Sequence, residues 1–254
     1  MLTTLRHGAP GTARPLVIAH GLFGSARNWG AIARSLADRG PVIAVDMRNH
    51  GASPQAPDHD YPALAADLAE VAEAEGAPVD LLGHSMGGKA AMMLALTRPA
   101  LIRRLVVADI APVAYGHSQQ GLIDAMRALD LTALHSRAEA DRRLAADIDD
   151  PGVRAFLLQS LELKSDPPRW RFNLDALEAN MPAILGWPGP DARFDGPALF
   201  LAGAASDYVR AEHRPAIRRH FPAARIARVP GAGHWLHADR PDAVTATLRA
   251  FLDA

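Results

Sequence analysis

The chain has 254 residues, 49% of them hydrophobic, enough apolar side chain to close one sizeable core without covalent staples. It has no cysteine, which excludes disulfides, thiolate metal sites and a cysteine nucleophile, and its formal charge of −1 gives no overall pull toward nucleic acid or an anionic membrane. No apolar run nears the ~18 residues of a membrane span, and MLTTLRHGAPG meets Gly and Pro before any leader-like stretch, so a soluble cytoplasmic protein is expected.

Taken in chain order, short β-branched runs alternate with longer Ala/Leu-rich stretches. PLVIAHG (15–21) reads as a buried strand entering a glycine turn. ARNWGAIARSLADRG (26–40) has helical spacing, with Trp29, Ile32 and Leu36 on one face and Gly40 as its stop. PVIAVDM (41–47) is the next strand, and YPALAADLAEVAEAEG (61–76) is a helix with proline near its start. VDLLGHS (79–85), GGKAAMMLALTRP (87–99) and LVVADI (105–110) give strand, helix and strand. ALFLAG (198–203), a helix near 211–220, ARIARV (224–229) and a helix over 241–252 resume the pattern. This alternation predicts an α/β fold with a mostly parallel central sheet and helices on both faces.

Between Asp109 and Ala198 the pattern changes. LIDAMRALDL (122–131), RAEADRRLAADI (137–148) and GVRAFLLQSLEL (152–163) are helical in period and joined by the turn signals DDPG and KSDPP. The expected organisation is a core of residues 1–111 and 197–254 with a helical cap inserted over 112–196, above the strand ends where open α/β sheets bind ligands.

GHSMG (83–87) matches G-x-S-x-G between a strand and a helix, the setting of a nucleophile elbow, and makes Ser85 the expected nucleophile. An oxyanion formed there needs preorganised N–H donors. Met86, directly after the serine, supplies one; the HGLFG turn (20–24) supplies the other through Leu22 or its neighbour Phe23. His20 suits a structural hydrogen bond. A general base must arrive from another strand end, and GAGHWLHADRP (231–241), after the last strand, offers His234 at its tip. His237 is expected to pack or cap nearby, and His84 to turn away from Ser85. DHD (58–60) reads as a solvated loop, Asp46 as a residue tying down its own loop through Arg48, and Lys89 as facing solvent or a carboxylate. HEXXH is absent, so neither a metal nor another cofactor is expected.

HGLFGS, VDMRNHGASP, GHSMGG and GAGHW together resemble the α/β-hydrolase superfamily over nearly the whole chain. RNHG (48–51), DIAP (109–112) and WRFNL (170–174) are similar to words of its YbfF-type small serine esterases. The resemblance implies an acid three residues after the glycine that ends the seventh strand, yet that position holds Ser206, with Asp207 one residue later. It also implies that the strand ending at Asp109 lies beside the serine's strand. Asp109 is therefore the favoured acid and Asp207 the runner-up.

The expected chemistry is hydrolysis of small-molecule carboxylic esters, or acyl thioesters, of small to medium acyl groups through a Ser-His-Asp triad and an acyl-enzyme. Carbon–carbon bond hydrolysis on the same triad and non-catalytic binding of a hydrophobic ligand are the alternatives. Phe23, Tyr115, Trp170, Trp187, Tyr208 and Trp235 are the candidates for lining an apolar acyl pocket. Arg137, Arg142, Arg143 and Lys164 offer a basic rim for a coenzyme A thioester.

Overall fold

Residues alternating along each β-branched run present opposite faces, so each strand needs an apolar layer on both sides. The computed structural model describes residues 1–9, 14–116 and 118–254; Pro10 and Gly11, at the end of the N-terminal stretch read above, lie outside the described residues. Strand β1 (Thr4–His7) is followed by β2 (Leu16–Ala19), a 3-10 turn (Ala26–Trp29), helix α1 (Gly30–Leu36) and β3 (Val42–Val45). Next come α2 (Tyr61–Ala74), β4 (Val79–His84), α3 (Met86–Thr97) and β5 (Ile102–Ala108). The helical insertion then carries α4 (Gln120–Ala128), α5 (Arg137–Leu144) and α6 (Pro151–Leu158). A two-strand ribbon, β6 (Leu161–Glu162) and β7 (Arg169–Trp170), leads to α7 (Leu174–Ala179) and α8 (Met181–Leu185). The chain closes with β8 (Ala198–Gly203), a 3-10 turn (Ala211–His213), α9 (Arg214–His220), β9 (Ala224–Val229), α10 (Leu236–Asp239) and α11 (Pro241–Leu252).

Among the described residues, seven strands form one sheet in the order β1-β3-β2-β4-β5-β8-β9, parallel except for β1. The sequence reading holds no strand at 4–7. TLRH is mostly exposed and earns strand geometry only by pairing antiparallel with β3. The helix read over 26–40 is shorter, beginning as a 3-10 turn.

Val17, Ile43, Leu81, Leu105 and Phe200 face one layer, where they pack with α2 and α3 through Leu64, Leu68 and Met92. Their neighbours Ile18, Ala44, Leu82, Val106 and Leu201 face α1 and α11 through Ile32, Leu36, Val244 and Leu248. Each fully buried aliphatic side chain of this kind contributes roughly 2 kcal/mol. Asp60 starts α2 by accepting from Ala63 N–H at 2.9 Å, and Asp150 starts α6 by accepting from Gly152 and Val153.

The parallel strands aim their carboxyl ends at one rim. β4 and β5 are adjacent, with His84 level with Ala108, so Ser85 and Asp109 leave the sheet side by side. Ser85 N–H donates to Ala108 O at 3.0 Å, and Asp109 N–H donates to Leu201 O at 2.9 Å. The turn after β2 and the loop after β9 complete the rim.

Candidate active site

Ser85 sits at the step from β4 into α3 with φ of 52° and ψ of −118°, a left-handed conformation rare for a residue with a side chain. The glycines around it allow close backbone passage. A Cβ on Gly83 would lie 2.2 Å from Gly87 O, and one on Gly87 would lie 2.4 Å from His20 O. The sharp turn lifts the serine hydroxyl over the rim, where Ser85 Oγ stands 3.0 Å from His234 Nε2.

The imidazole is oriented by a carboxylate. His234 Nδ1 donates to Asp109 Oδ2 at 2.8 Å, which leaves Nε2 bare toward the serine. Asp109 is wholly buried and also has positive φ, 52°. Its charge is answered by hydrogen bonds: Gly203 N–H reaches Oδ1 at 2.9 Å, and the Ser206 hydroxyl donates to Oδ2. Asp207 is exposed and the nitrogen it would have bonded is taken by Asp109. Ser206, noted in the sequence only as the wrong residue type for an acid, is thus in contact with the carboxylate that stands in for it.

Leu22 and Met86 both line the pocket at Ser85. The Phe23 N–H is directed elsewhere, donating to His50 Nε2 at 3.1 Å. His20 has the structural place expected of it. Met47 N–H donates to its Nε2 at 2.9 Å, so Nδ1 carries the proton and donates to Gly21 O at 2.7 Å. Burial pulls the His20 imidazole down to about 4.

His84 is buried against His234: its Nε2 donates to His234 O at 2.9 Å, and the two rings lie 4.8 Å apart. His237 packs, stacked on Trp29 at 4.4 Å, and burial pulls it to about 4. Tyr208 stacks on the His234 ring at 3.8 Å between centroids.

A cavity of about 410 Å³ opens onto Ser85. Phe23, Tyr115, Tyr208 and Trp235 line it, together with Leu122, Val153, Phe156, Leu157, Ile184 and Leu185 from the insertion. Trp170 and Trp187 do not. Trp170 is buried inside the insertion, where its Nε1 donates to Met126 O at 2.9 Å. Trp187 faces a separate hollow with Pro112, Pro190 and His220. Trp170 instead joins the buried apolar cluster that runs from the insertion into the layer over α2 and α3.

Three polar expectations are corrected. His59, read within a solvated DHD, is fully buried, accepting from Asn49 Nδ2 at 3.2 Å and presenting Nε2 to Met86 Sδ at 3.1 Å. Asp46 holds its loop through Ala26 N–H at 2.8 Å and Ala52 N–H at 2.9 Å, while Arg48 pairs with Asp67 at 2.6 Å. Lys89 faces neither solvent nor a carboxylate. Its Nζ donates to Leu185 O at 3.0 Å and Gly186 O at 2.6 Å, and burial lowers its pKa to about 7.

This geometry, a serine on a strand–helix elbow with a histidine and a carboxylate arriving from later strand ends, is that of a hydrolase. The chain belongs to the alpha/beta hydrolase family, whose model matches residues 16–247. It is 43% identical to mouse sn-1-specific diacylglycerol lipase ABHD11 over 250 residues, covering 93% of this chain and 81% of the relative. It is 40% identical to esterase YbfF of Escherichia coli over 241 residues, covering 94% of this chain and 93% of that one. Among solved structures, a marine microorganism esterase superposes with a TM-score of 0.93 at 39% identity, with 98% of both chains covered. No described helix is long and apolar enough to cross a membrane.

Proposed function

We propose that this ester hydrolase cleaves carboxylic esters of small to medium acyl groups, with Ser85 as nucleophile, His234 as general base and acid, and Asp109 as the triad acid. The observation that carries the reading is the continuous array from Ser85 Oγ through His234 to buried Asp109, opening on a largely apolar cavity. The names of the mouse and Escherichia coli relatives, a lipase and an esterase, support an ester as substrate.

In this mechanism His234 Nε2 takes the Ser85 proton as the oxygen attacks the acyl carbonyl. The negative oxygen of the tetrahedral intermediate is held by Leu22 N–H and Met86 N–H, at the positive end of α3. Asp109 stabilises the imidazolium, which then protonates the leaving alcohol. Water, deprotonated by the same imidazole, releases the acid and restores Ser85. The helical insertion acts as a cap, sharing the apolar wall for the acyl group with Leu22, Phe23, Met86 and Ile110 of the core.

Esters are favoured over coenzyme A thioesters. The cavity includes Asp150 and Asp239 and none of Arg137, Arg142, Arg143 or Lys164. Arg137 donates to Leu158 O at 3.2 Å and Leu161 O at 3.0 Å, and Arg143 pairs with Glu139 at 2.6 Å, so two of these cations bind within the insertion. The test is fluorophosphonate labelling followed by peptide mass mapping. The expected adduct lies on Ser85 and is absent from Ser85→Ala; an unlabelled Ser85 in folded protein contradicts the assignment.

A further inference from the structure

The direction of the Leu22 N–H is set by the backbone alone, because no side chain of its own residue can steer it. Peptide planarity puts that N–H in the Gly21–Leu22 plane, and the following Leu22–Phe23 plane bears on it through the two Leu22 backbone torsions that join them. The Gly21–Leu22 plane carries the Leu22 N–H at one edge and Gly21 O at the other. That oxygen accepts from His20 Nδ1 at 2.7 Å and from Gly24 N–H at 2.9 Å. The Leu22–Phe23 plane follows, and its N–H, that of Phe23, donates to His50 Nε2 at 3.1 Å. Phe23 then takes φ of 60°, a backbone region that residues with side chains seldom adopt and that has to be held from outside.

We propose that His50 is a positioning residue for the oxyanion hole: its bare Nε2 holds the Phe23 N–H, fixes the second peptide plane of Leu22, and so aims the Leu22 N–H at the reacting oxygen. The proposal rests on the Ser85 esterase reading above.

The ring of His50 is built to remain an acceptor. Its Nδ1 donates to Arg48 O at 2.9 Å, which assigns the proton to that nitrogen and leaves Nε2 without one. His50 is 1% exposed, and its ring packs against His20 at 5.1 Å and Phe172 at 5.6 Å. Burial, reinforced by neighbouring His20, pulls its pKa to about 3. The Arg48 guanidinium is directed at Asp67, and His59 lies 5.5 Å away, itself kept neutral by burial. The insertion braces the same loop: His50 forms a backbone bridge with Phe172, and Asn173 N–H donates to Asn49 O at 3.0 Å. The same loop region touches the other donor residue, through His59 against Met86 Sδ. RNHG and WRFNL, separate words in the sequence, meet behind the oxyanion turn.

The experiment compares wild type, Ser85→Ala, His50→Leu and His50→Gln on p-nitrophenyl butyrate, with inhibition by phenylboronic acid, a probe that forms a tetrahedral adduct on serine. Thermal unfolding is followed in parallel. His50→Leu is expected to lower kcat about 10- to 100-fold with KM within about threefold, and to weaken the boronic acid in proportion to kcat. His50→Gln, whose Oε1 accepts the Phe23 N–H, is expected to recover most of both. Should His50→Leu fail to fold, His50→Phe, which keeps a ring against Phe172, takes its place. A folded apolar variant with unchanged kcat and boronic-acid affinity overturns the proposal, as does a Gln variant no better than Leu. Turnover that is undiminished in His50→Leu and vanishes in Ser85→Ala sinks the His50 role alone. Absence of turnover in wild type sinks the esterase reading and this role with it.

Discussion

Ser206 donates its hydroxyl to Oδ2 of Asp109, the same oxygen that holds His234 Nδ1. The carboxylate leaves the end of β5, and the serine comes from the loop after β8, so two adjacent strands meet at one carboxylate. With Gly203 N–H on the other oxygen, Asp109 is buried, charged and aimed. A carboxylate held this way keeps the imidazole in the tautomer that presents a bare Nε2 to Ser85.

Asp109→Asn is expected to lower kcat by about 10⁴-fold, because an amide favours the wrong tautomer of the base. Ser206→Ala removes one of three hydrogen bonds to the carboxylate group and is expected to cost about 1 kcal/mol in the transition state, roughly fivefold in kcat. Asp207→Asn, at an exposed position, is expected to stay within about twofold of wild type. Steady-state kinetics on the three variants checks this. Collapse in Asp207→Asn with activity retained in Asp109→Asn reverses the acid assignment.

Gly87→Ala tests the close approach under the elbow. Its Cβ would meet the backbone oxygens of His20 at 2.4 Å and Ala19 at 2.6 Å, and neither can rotate aside. Either α3 or the end of β2 has to move, which separates Met86 from Leu22. A loss of about 10²-fold in kcat together with a lower Tm is expected; a variant with wild-type kinetics shows that the elbow tolerates this shift.

Acid should unfold the protein in a window set by its buried histidines. His20, His50, His59, His84 and His237 all have pKa values lowered chiefly by burial, to about 4 for His20 and His237 and about 3 for His50. Unfolded, each titrates near 6.5, so below that pH the unfolded chain binds more protons than the folded one. Their contribution is complete above pH 6.5 and falls as pH drops toward the folded values. By pH 5 each of His20, His50 and His237 costs about 2 kcal/mol, and their combined cost already reaches the lower part of the roughly 5–15 kcal/mol of a typical domain, with His59 and His84 acting in the same direction. Tm measured from pH 7.5 to 4.5 should fall steeply below 6; a flat profile down to pH 5 contradicts the burial of neutral imidazoles.

Val153, in α6, lines the cavity from the insertion. Val153→Trp adds bulk where the acyl group is expected, and should shift the preferred acyl length shorter while leaving acetate turnover within about threefold. An unchanged chain-length profile would place the acyl group elsewhere in the cavity.

Much of the fold was legible because hydrophobic period and turn residues agreed. Strands 198–203 and 224–229 and the helix 241–252 have the bounds read from their apolar patterns. Ser85 and His234 stood out because each is a polar residue in a glycine-bearing turn that follows a strand. Strand β1 was hidden, since TLRH owes its conformation to pairing across the sheet and carries no buried face of its own. Trp170 and Trp187 were misjudged because aromatic content tells nothing about which side of a small helical layer a ring fills. His59 and Lys89 were misread for a related reason. Local composition suggests solvent, but burial is decided by tertiary neighbours, and the bonds that make burial tolerable come from groups that no local pattern marks, the Asn49 amide for His59 and the Leu185 and Gly186 carbonyls for Lys89. Asp46 does tie down its loop, but through backbone N–H groups and not through Arg48. His50 was invisible as a site residue because its partner, the Phe23 N–H, leaves no mark in a side-chain pattern.

The most direct test of the central claim is hydrolysis of p-nitrophenyl esters from acetate to palmitate by wild type and Ser85→Ala. The account predicts turnover that peaks among the short to medium acyl chains and disappears in Ser85→Ala. Absence of serine-dependent turnover at every length would contradict it, and would leave the Ser85–His234–Asp109 array to another chemistry.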